Sequence, residues 1–385
     1  MYKIKLGAFG KKLMNNLLIM LLLISTQTSA KYQSLVPVDI VFTMDLSAST
    51  NGLVDDLRDK IWDMNNQLSR LRPSPDVRFA VVGFSRPSFG ADNQYVKVLV
   101  PLTSDVDFLA SELYKIRPNI EKGDQFVGAA IRASLELLDW SKADNAVRQI
   151  FLVGNGSVGL GAFNFRESYE LAIKKGINVQ SFYCHSSLRA KDFPGWKEIA
   201  KQTGGNAVDI KIHKRMVDYS SVENFDRLKQ LARELSSTYI YYGKNGSDRY
   251  KAMLNNDKNA LASGKGTFEA MLYNKISDNN QGKQNEWDLV DLIKSRSGKL
   301  NQVDPKTLPD SLRKNDPEQL MTKLILLKEK RSLLVTQMRS LLPYQRQAQL
   351  ETYLSNKEDD RTLMLDYEAM KIILQKLEEK GISAN

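Results

Sequence analysis

Soft metal ligands and histidine bases are scarce in these 385 residues, which hold one cysteine, Cys184, and two histidines, His185 and His213. A single cysteine excludes an internal disulfide, so stability has to come from the core. Cys184 ends an apolar stretch and reads as a small buried hydrophobe, with no basic motif nearby to activate a thiol. A serine hydrolase needs a histidine base, and neither histidine sits in such a motif. The apolar run Leu17 to Ile24 falls short of the roughly 20 residues a membrane span requires. No polybasic tract is present either, which argues against nucleic acid as a partner.

What the chain does carry begins with Lys3, Lys5, Lys11 and Lys12, followed by that apolar run and by Thr28-Ser29-Ala30. The order is that of a signal peptide over 1–30, cleaved before Lys31, with an uncleaved anchor as the alternative. The mature protein is then expected to be exported, to a periplasm or to the outside of the cell. Cleavage removes four lysines and no acid, reducing the formal net charge from +10 to +6. An anionic envelope surface suits such a protein better than nucleic acid does. With 42% hydrophobic residues the chain can build one large core with an appendage, or two domains.

The organising stretch is Val38 to Ser49, VDIVFTMDLSAS. Its first seven residues read as a strand buried on both faces, and Leu53, Leu57, Ile61, Met64 and Leu68 then follow a helical period. Asp45, Ser47 and Ser49 thereby fall on a loop at the carboxyl end of a strand, where open α/β sheets bind ligands. One carboxylate and two hydroxyls make an all-oxygen cluster suited to a hard cation such as Mg²⁺. The plainer reading is that one of the serines caps the following helix.

Further strands are expected at 77–84, 95–102 (an edge), 149–153, 177–184 and 208–212, alternating with helices, one of them capped by Ser104-Asp105. This alternation predicts a doubly wound, mostly parallel sheet. Residues 243–268 are rich in Gly, Asn, Lys and Ser and read as a linker. Beyond them, 269–385 reads as α-helical. Leu320, Leu324, Leu327, Leu334, Met338 and Leu341 follow a heptad that Arg331 interrupts, and Pro343 ends it. Leu363, Tyr367, Met370, Leu374 and Leu377 repeat the pattern. The pair is expected to form an antiparallel hairpin that packs on the α/β domain or self-associates through 318–380, and its deletion is expected to leave that domain folded.

Two motifs are decoys. Gly154-x-Gly156-x-x-Gly159 matches a dinucleotide fingerprint in spacing, but 177–185 lacks the acidic residue such a site requires. Asp278-x-Asn280-x-Gly282 hints at a calcium loop, yet its glycine is misplaced and Leu289 stands where a glutamate is needed. The segment around Trp287 reads as a docking helix.

Asp45-x-Ser47-x-Ser49 after a buried strand, in this alternation, resembles the von Willebrand factor A domain and its metal-ion-dependent adhesion site over about 36–242. Lys60-Ile61-Trp62, Gly123-Asp124, Leu138 to Trp140, Cys184, Trp196 to Ala200, Tyr241-Tyr242-Gly243, Trp287 to Asp291 and Leu308-Pro309 resemble a group of exported bacterial proteins with this domain. The resemblance implies a Rossmann-like sheet with one antiparallel edge strand. It also implies a metal site in which Ser47 and Ser49 bind the cation directly, Asp45 directly or through water, and Asp124 from a second loop. The third loop, usually aspartate, carries Asn155, which brings an oxygen but no charge and weakens cation binding. The implied function is non-enzymatic: Mg²⁺, or Mn²⁺ or Ca²⁺ in its place, accepts a carboxylate from a partner protein. The alternative is a metal-independent scaffold that assembles through its helical region.

Overall fold

β1 (Pro37–Asp45) is the middle of the molecule, buried along nearly all its length. The computed structural model describes residues 35–50, 52–117, 123–184, 187–210, 224–277, 286–295, 300, 302–342 and 365–383. The signal peptide, the side chain of His185, His213, the 278–282 loop, Pro343 and Leu363 lie outside these. β2 (Asp76–Phe84), β3 (Lys97–Thr103), β4 (Val147–Gly154), β5 (Asn178–Cys184) and β6 (Ala207–Ile210) complete one sheet. Its order is β3-β2-β1-β4-β5-β6, parallel throughout except for β3, which runs antiparallel to β2. This is the doubly wound sheet with an antiparallel edge that the sequence led us to expect. The order reverses between β1 and β4, so a switch point lies at their carboxyl ends.

Side chains alternate along each strand, and the two faces bury different helices. Ile40, Phe42 and Met44 join Phe79, Phe151 and Phe182 on one face; the Phe42, Phe151 and Phe182 rings stand in a row at 5.5 Å spacings. Val41 joins Val82, Ile150 and Leu152 on the other. The second face is covered by α3 (Val127–Glu136), α4 (Phe165–Lys174) and α5 (Phe193–Gln202). The first is covered by α1 (Leu53–Ser69) and α2 (Val106–Lys115), whose N-cap Asp105 accepts from Phe108 N as the sequence foretold.

A second helical layer overlies α1 and α2, and here the structure departs from the sequence reading. The expected linker holds all of α7 (Gly246–Ser263) and the start of α8 (Lys265–Ile276), reached from α6 (Phe225–Ser236). α7 lies on α2 and α8 on α1, where Asn66 Nδ2 donates to Ala270 O at 2.9 Å. Polar composition hid a helix that, past its first residue Gly246, buries Met253, Asn256 and Ala260 at helical spacing. α10 (Pro317–Leu341) rests on α6 and on the short α9 (Leu289–Ser295), whereas α11 (Leu365–Glu378) packs on α1. The two heptad stripes therefore serve to dock each helix on the α/β body, and a free-standing hairpin is not their arrangement. Ser383 closes this layer by exchanging backbone hydrogen bonds with Arg72, just after α1. The described residues from Val36 onward form one unit. Among them, no helix is long and apolar enough to cross a membrane.

The interruption of the heptad has a structural cause. Arg331 is buried and reaches Asp288 Oδ2 at 2.6 Å and Asp291 Oδ1 at 3.0 Å, and donates to Thr238 Oγ1 and O at 3.0 and 2.8 Å. Its guanidinium lies 4.0 Å from the centre of the Tyr239 ring, and that ring stacks on Trp287. Asp288 Oδ1 in turn accepts from Ile240 N. Removing one partner of such a network strands a buried charge. Arg331→Ala should cost about 3–5 kcal/mol, measured as a lower urea midpoint. Deleting residues 365–385 uncovers α1 and, contrary to the expectation from sequence, should abolish the cooperative thermal transition seen by circular dichroism.

Candidate functional site

Asp45 ends β1 at the switch point with no exposed surface. The β1–β4 register pairs Met44 with Val153, which sets Asp45 beside Gly154. A Cβ at Gly154 would lie 2.6 Å from Asp45 Cβ, so the close approach requires glycine. Asp45 Oδ1 accepts from Ser47 N at 2.9 Å, while the fully buried Oδ2 accepts no hydrogen bond of ordinary geometry.

The loop after Asp45 is pinned by a residue that sequence reading missed. Thr50 Oγ1 donates to Asp45 O at 2.8 Å and lies 2.9 Å from Ser47 O. That holds Ser47 Oγ 3.0 Å from Ser49 Oγ, and Ser49 Oγ donates to Asn155 Oδ1 at 3.3 Å. Neither serine caps α1, whose N-cap is Gly52, with no side chain to do so. The third loop is braced by Trp196, whose Nε1 donates to Gly156 O at 2.9 Å.

Ser85, also missed, follows β2 with a left-handed φ of +70°, and its buried hydroxyl has no hydrogen-bond partner of ordinary geometry. A strained non-glycine residue with an unsatisfied hydroxyl is the kind of feature that collects at functional sites. Its signal in sequence was only a polar residue after a buried strand. Asp124 is exposed in the loop before α3. Its neighbour Gly123 presses so closely on Ser85 that an added Cβ would sit 2.0 Å from Ser85 O. The structure thus joins Asp45, Ser47, Ser49 and Asn155 by hydrogen bonds, and brings the Asp124 loop to the same end of the sheet through Gly123.

Burial is the main influence on Asp45 and raises its pKa; the nearby Ser47, the Ser85 hydroxyl and the Asn155 main chain oppose it. The site is therefore a set of oxygens around a carboxylate that pays for its charge in lost hydration.

No family model matches this sequence, and no curated protein matches it. Matches of fold exist among solved structures. Proximal thread matrix protein 1 from the mussel byssus is 16% identical over 46% of this chain and 42% of that one, with a TM-score of 0.35. The chain thus spans less than half the length of the mussel protein. The conserved hypothetical protein BatB from Bacteroides thetaiotaomicron is 19% identical over 52% and 98% of the two chains, TM-score 0.34. A von Willebrand factor type A structure from Catenulispora acidiphila is 14% identical over 46% and 39%, TM-score 0.35.

A carboxyl whose folded pKa is raised makes the fold less stable as pH climbs from the ordinary carboxylate range through the raised value. Asp45→Asn removes that penalty. Its melting temperature should exceed wild type at pH 8 and converge on it in acid, as a pH series of thermal melts will test. On strand order and on the direction of β3, the chain carries a von Willebrand factor A-like α/β fold.

Proposed function

We propose that this is a non-enzymatic protein-interaction module whose Asp45 site holds a divalent cation and presents it to an acidic group on a partner. The observation that supports the reading most is Asp45 Oδ2, a buried carboxylate oxygen that accepts no hydrogen bond of ordinary geometry, on a side chain bonded to the loop that brings the Ser47, Ser49 and Asn155 oxygens together. A buried anion that neighbouring dipoles only partly offset suits a positive charge. The donors are all oxygen, as Mg²⁺ or Mn²⁺ prefers.

Ser47 and Ser49 would supply hydroxyl oxygens, Asp45 the charge, Asn155 Oδ1 a neutral oxygen and Asp124 a further carboxylate from the rim. A bound cation supplies a positive centre for a partner's carboxylate. So few formal charges leave coordination sites for such a ligand to complete. Ser47 and Ser49 keep their hydroxyls together through the loop that Thr50 pins, so the binding geometry needs little reorganisation. The reading is one of recognition, in which the Asp45 and Asp124 carboxylates serve the cation rather than a proton transfer. Export by the leader at 1–30 would set the partner in the cell envelope or outside it. The outer face of α10, with Ile325, Leu326 and Leu333 exposed, is the surface left for self-association.

Saturating Mg²⁺ or Mn²⁺ should raise the melting temperature by several degrees. Ligand at 100 times its Kd adds about 2.7 kcal/mol, and each kcal/mol is worth about 2 °C in a domain of this size. Asp45→Ala should lose the shift, and Asn155→Asp should bind about 10-fold more tightly by adding a charged ligand. Calorimetry on the three proteins reads all of this. No heat and no shift in wild type would instead favour the metal-independent scaffold.

A further inference from the structure

Far from the Asp45 loops, a cavity of about 440 Å³ opens between α2 and α7, within the range of small-ligand sites. Thr103, which lines it, pairs with Phe79 in the first half of β2, whereas Asp45 pairs with Phe84 at the end of β2. The cavity and the Asp45 site thus lie at opposite ends of the sheet.

Its polar lining has acceptors to spare. Asp105 caps α2 through one oxygen and pairs with Arg249 through the other, and Arg249 also lies 5.7 Å from the Phe108 ring centre. The one cation of the wall is thereby engaged. Asp107 Oδ1 accepts from Trp62 Nε1 at 3.1 Å, which leaves Oδ2 without a partner among the described residues. Asn256 Nδ2 donates to Asp107 O at 2.7 Å, but Asn256 Oδ1 accepts nothing although the residue is only 2% exposed. Glu286 adds a carboxylate at the exposed rim. Trp287, one face of which stacks on Tyr239, and Met253 supply apolar wall.

The lining carries three carboxylates and one arginine in a chain whose formal charge is +10. Asn256 Oδ1 is a buried acceptor that lacks a donor, which is costly, so the missing component is a donor. Excess negative charge asks for a positive one, and the aromatic and thioether wall suits both an alkyl stem and a cation beside a ring. Burial and the nearby Asp105 raise Asp107 to a pKa of about 6, which Lys275, itself paired with Asp257, opposes.

We propose that this cavity binds a primary ammonium group on an alkyl stem, supplied by a free alkylamine or by a lysine side chain of a partner protein. Asp107 and Glu286 bind the charge, Asn256 Oδ1 accepts an N–H, and Trp287 and Met253 cover the stem.

Calorimetry of the full chain with n-pentylammonium and with acetyl-Gly-Lys-Gly-amide tests this, against n-pentanol and the Nε-acetylated peptide as neutral counterparts. At least one amine should bind about 10-fold more tightly than its counterpart, as loss of a charge-assisted hydrogen bond implies. Pentylammonium alone would identify a free amine as the source, and the peptide alone a protein lysine. Asp107→Asn should weaken binding about 10-fold, and so should Glu286→Gln, whose exposed position leaves the fold intact if Asp107→Asn does not. Equal binding of charged and neutral probes, heat from no probe, or full binding by Glu286→Gln together with folded Asp107→Asn would overturn the assignment.

Discussion

A single buried cation, Arg331, holds the outer helical layer in register with the sheet-bearing body. It draws Asp288, just before α9, Asp291 within it, the Thr238 hydroxyl and carbonyl after α6, and the face of Tyr239 onto one guanidinium. The planar fork can satisfy several acceptors at once, which a lysine could not do. Burial raises Asp288 toward neutrality, and the neighbouring Arg331 opposes it. Such a network adds little net stability over a well-packed apolar cluster, but it penalises every arrangement in which its members are parted. α10 could slide along its apolar stripe with modest loss; with Arg331 on that stripe it has one position.

The same contrast explains what could be read from the chain. β1, β2, β4 and β5 were legible because strands buried on both faces form short apolar runs between turn residues. The Asp105 cap was legible because capping is local chemistry. The helix at 246–263 was not: it buries Met253, Asn256 and Ala260, and an asparagine in a core position is invisible to a hydrophobic pattern. Asn256 is buried because its amide meets the Asp107 carbonyl, a partner 149 residues away. Leu320, Leu324, Leu334 and Met338 are buried as the α10 stripe requires, but a stripe of leucines does not name the surface it meets. Arg331 was visible as an interruption, and only the fold supplies Asp288 as its reason.

At the Asp45 site, local and distant information divide in the same way. Asp45, Ser47 and Ser49 stand close in sequence, and the strand before them fixed their place at the sheet end. Asn155 was assigned only through the family resemblance, and the structure supplies the reason it lies there: β4 is β1's neighbour across the switch point. Thr50 acts on main-chain carbonyls of its own loop, Trp196 on one of the third loop, and Ser85 through its contact with Gly123, none of which residue type encodes. Asp124, expected beside the serines, is exposed, and its loop meets the others through Gly123.

The docking of α11 on α1 has a consequence in time. α11 is made after every other described helix, yet Ile373 and Leu377 seal a surface that α1 presents from near the start of the fold. During synthesis that surface stays bare while some three hundred residues emerge. A product cut short by premature termination or by proteolysis keeps greasy surface on display, and quality control can sort it from the finished molecule by that sign alone.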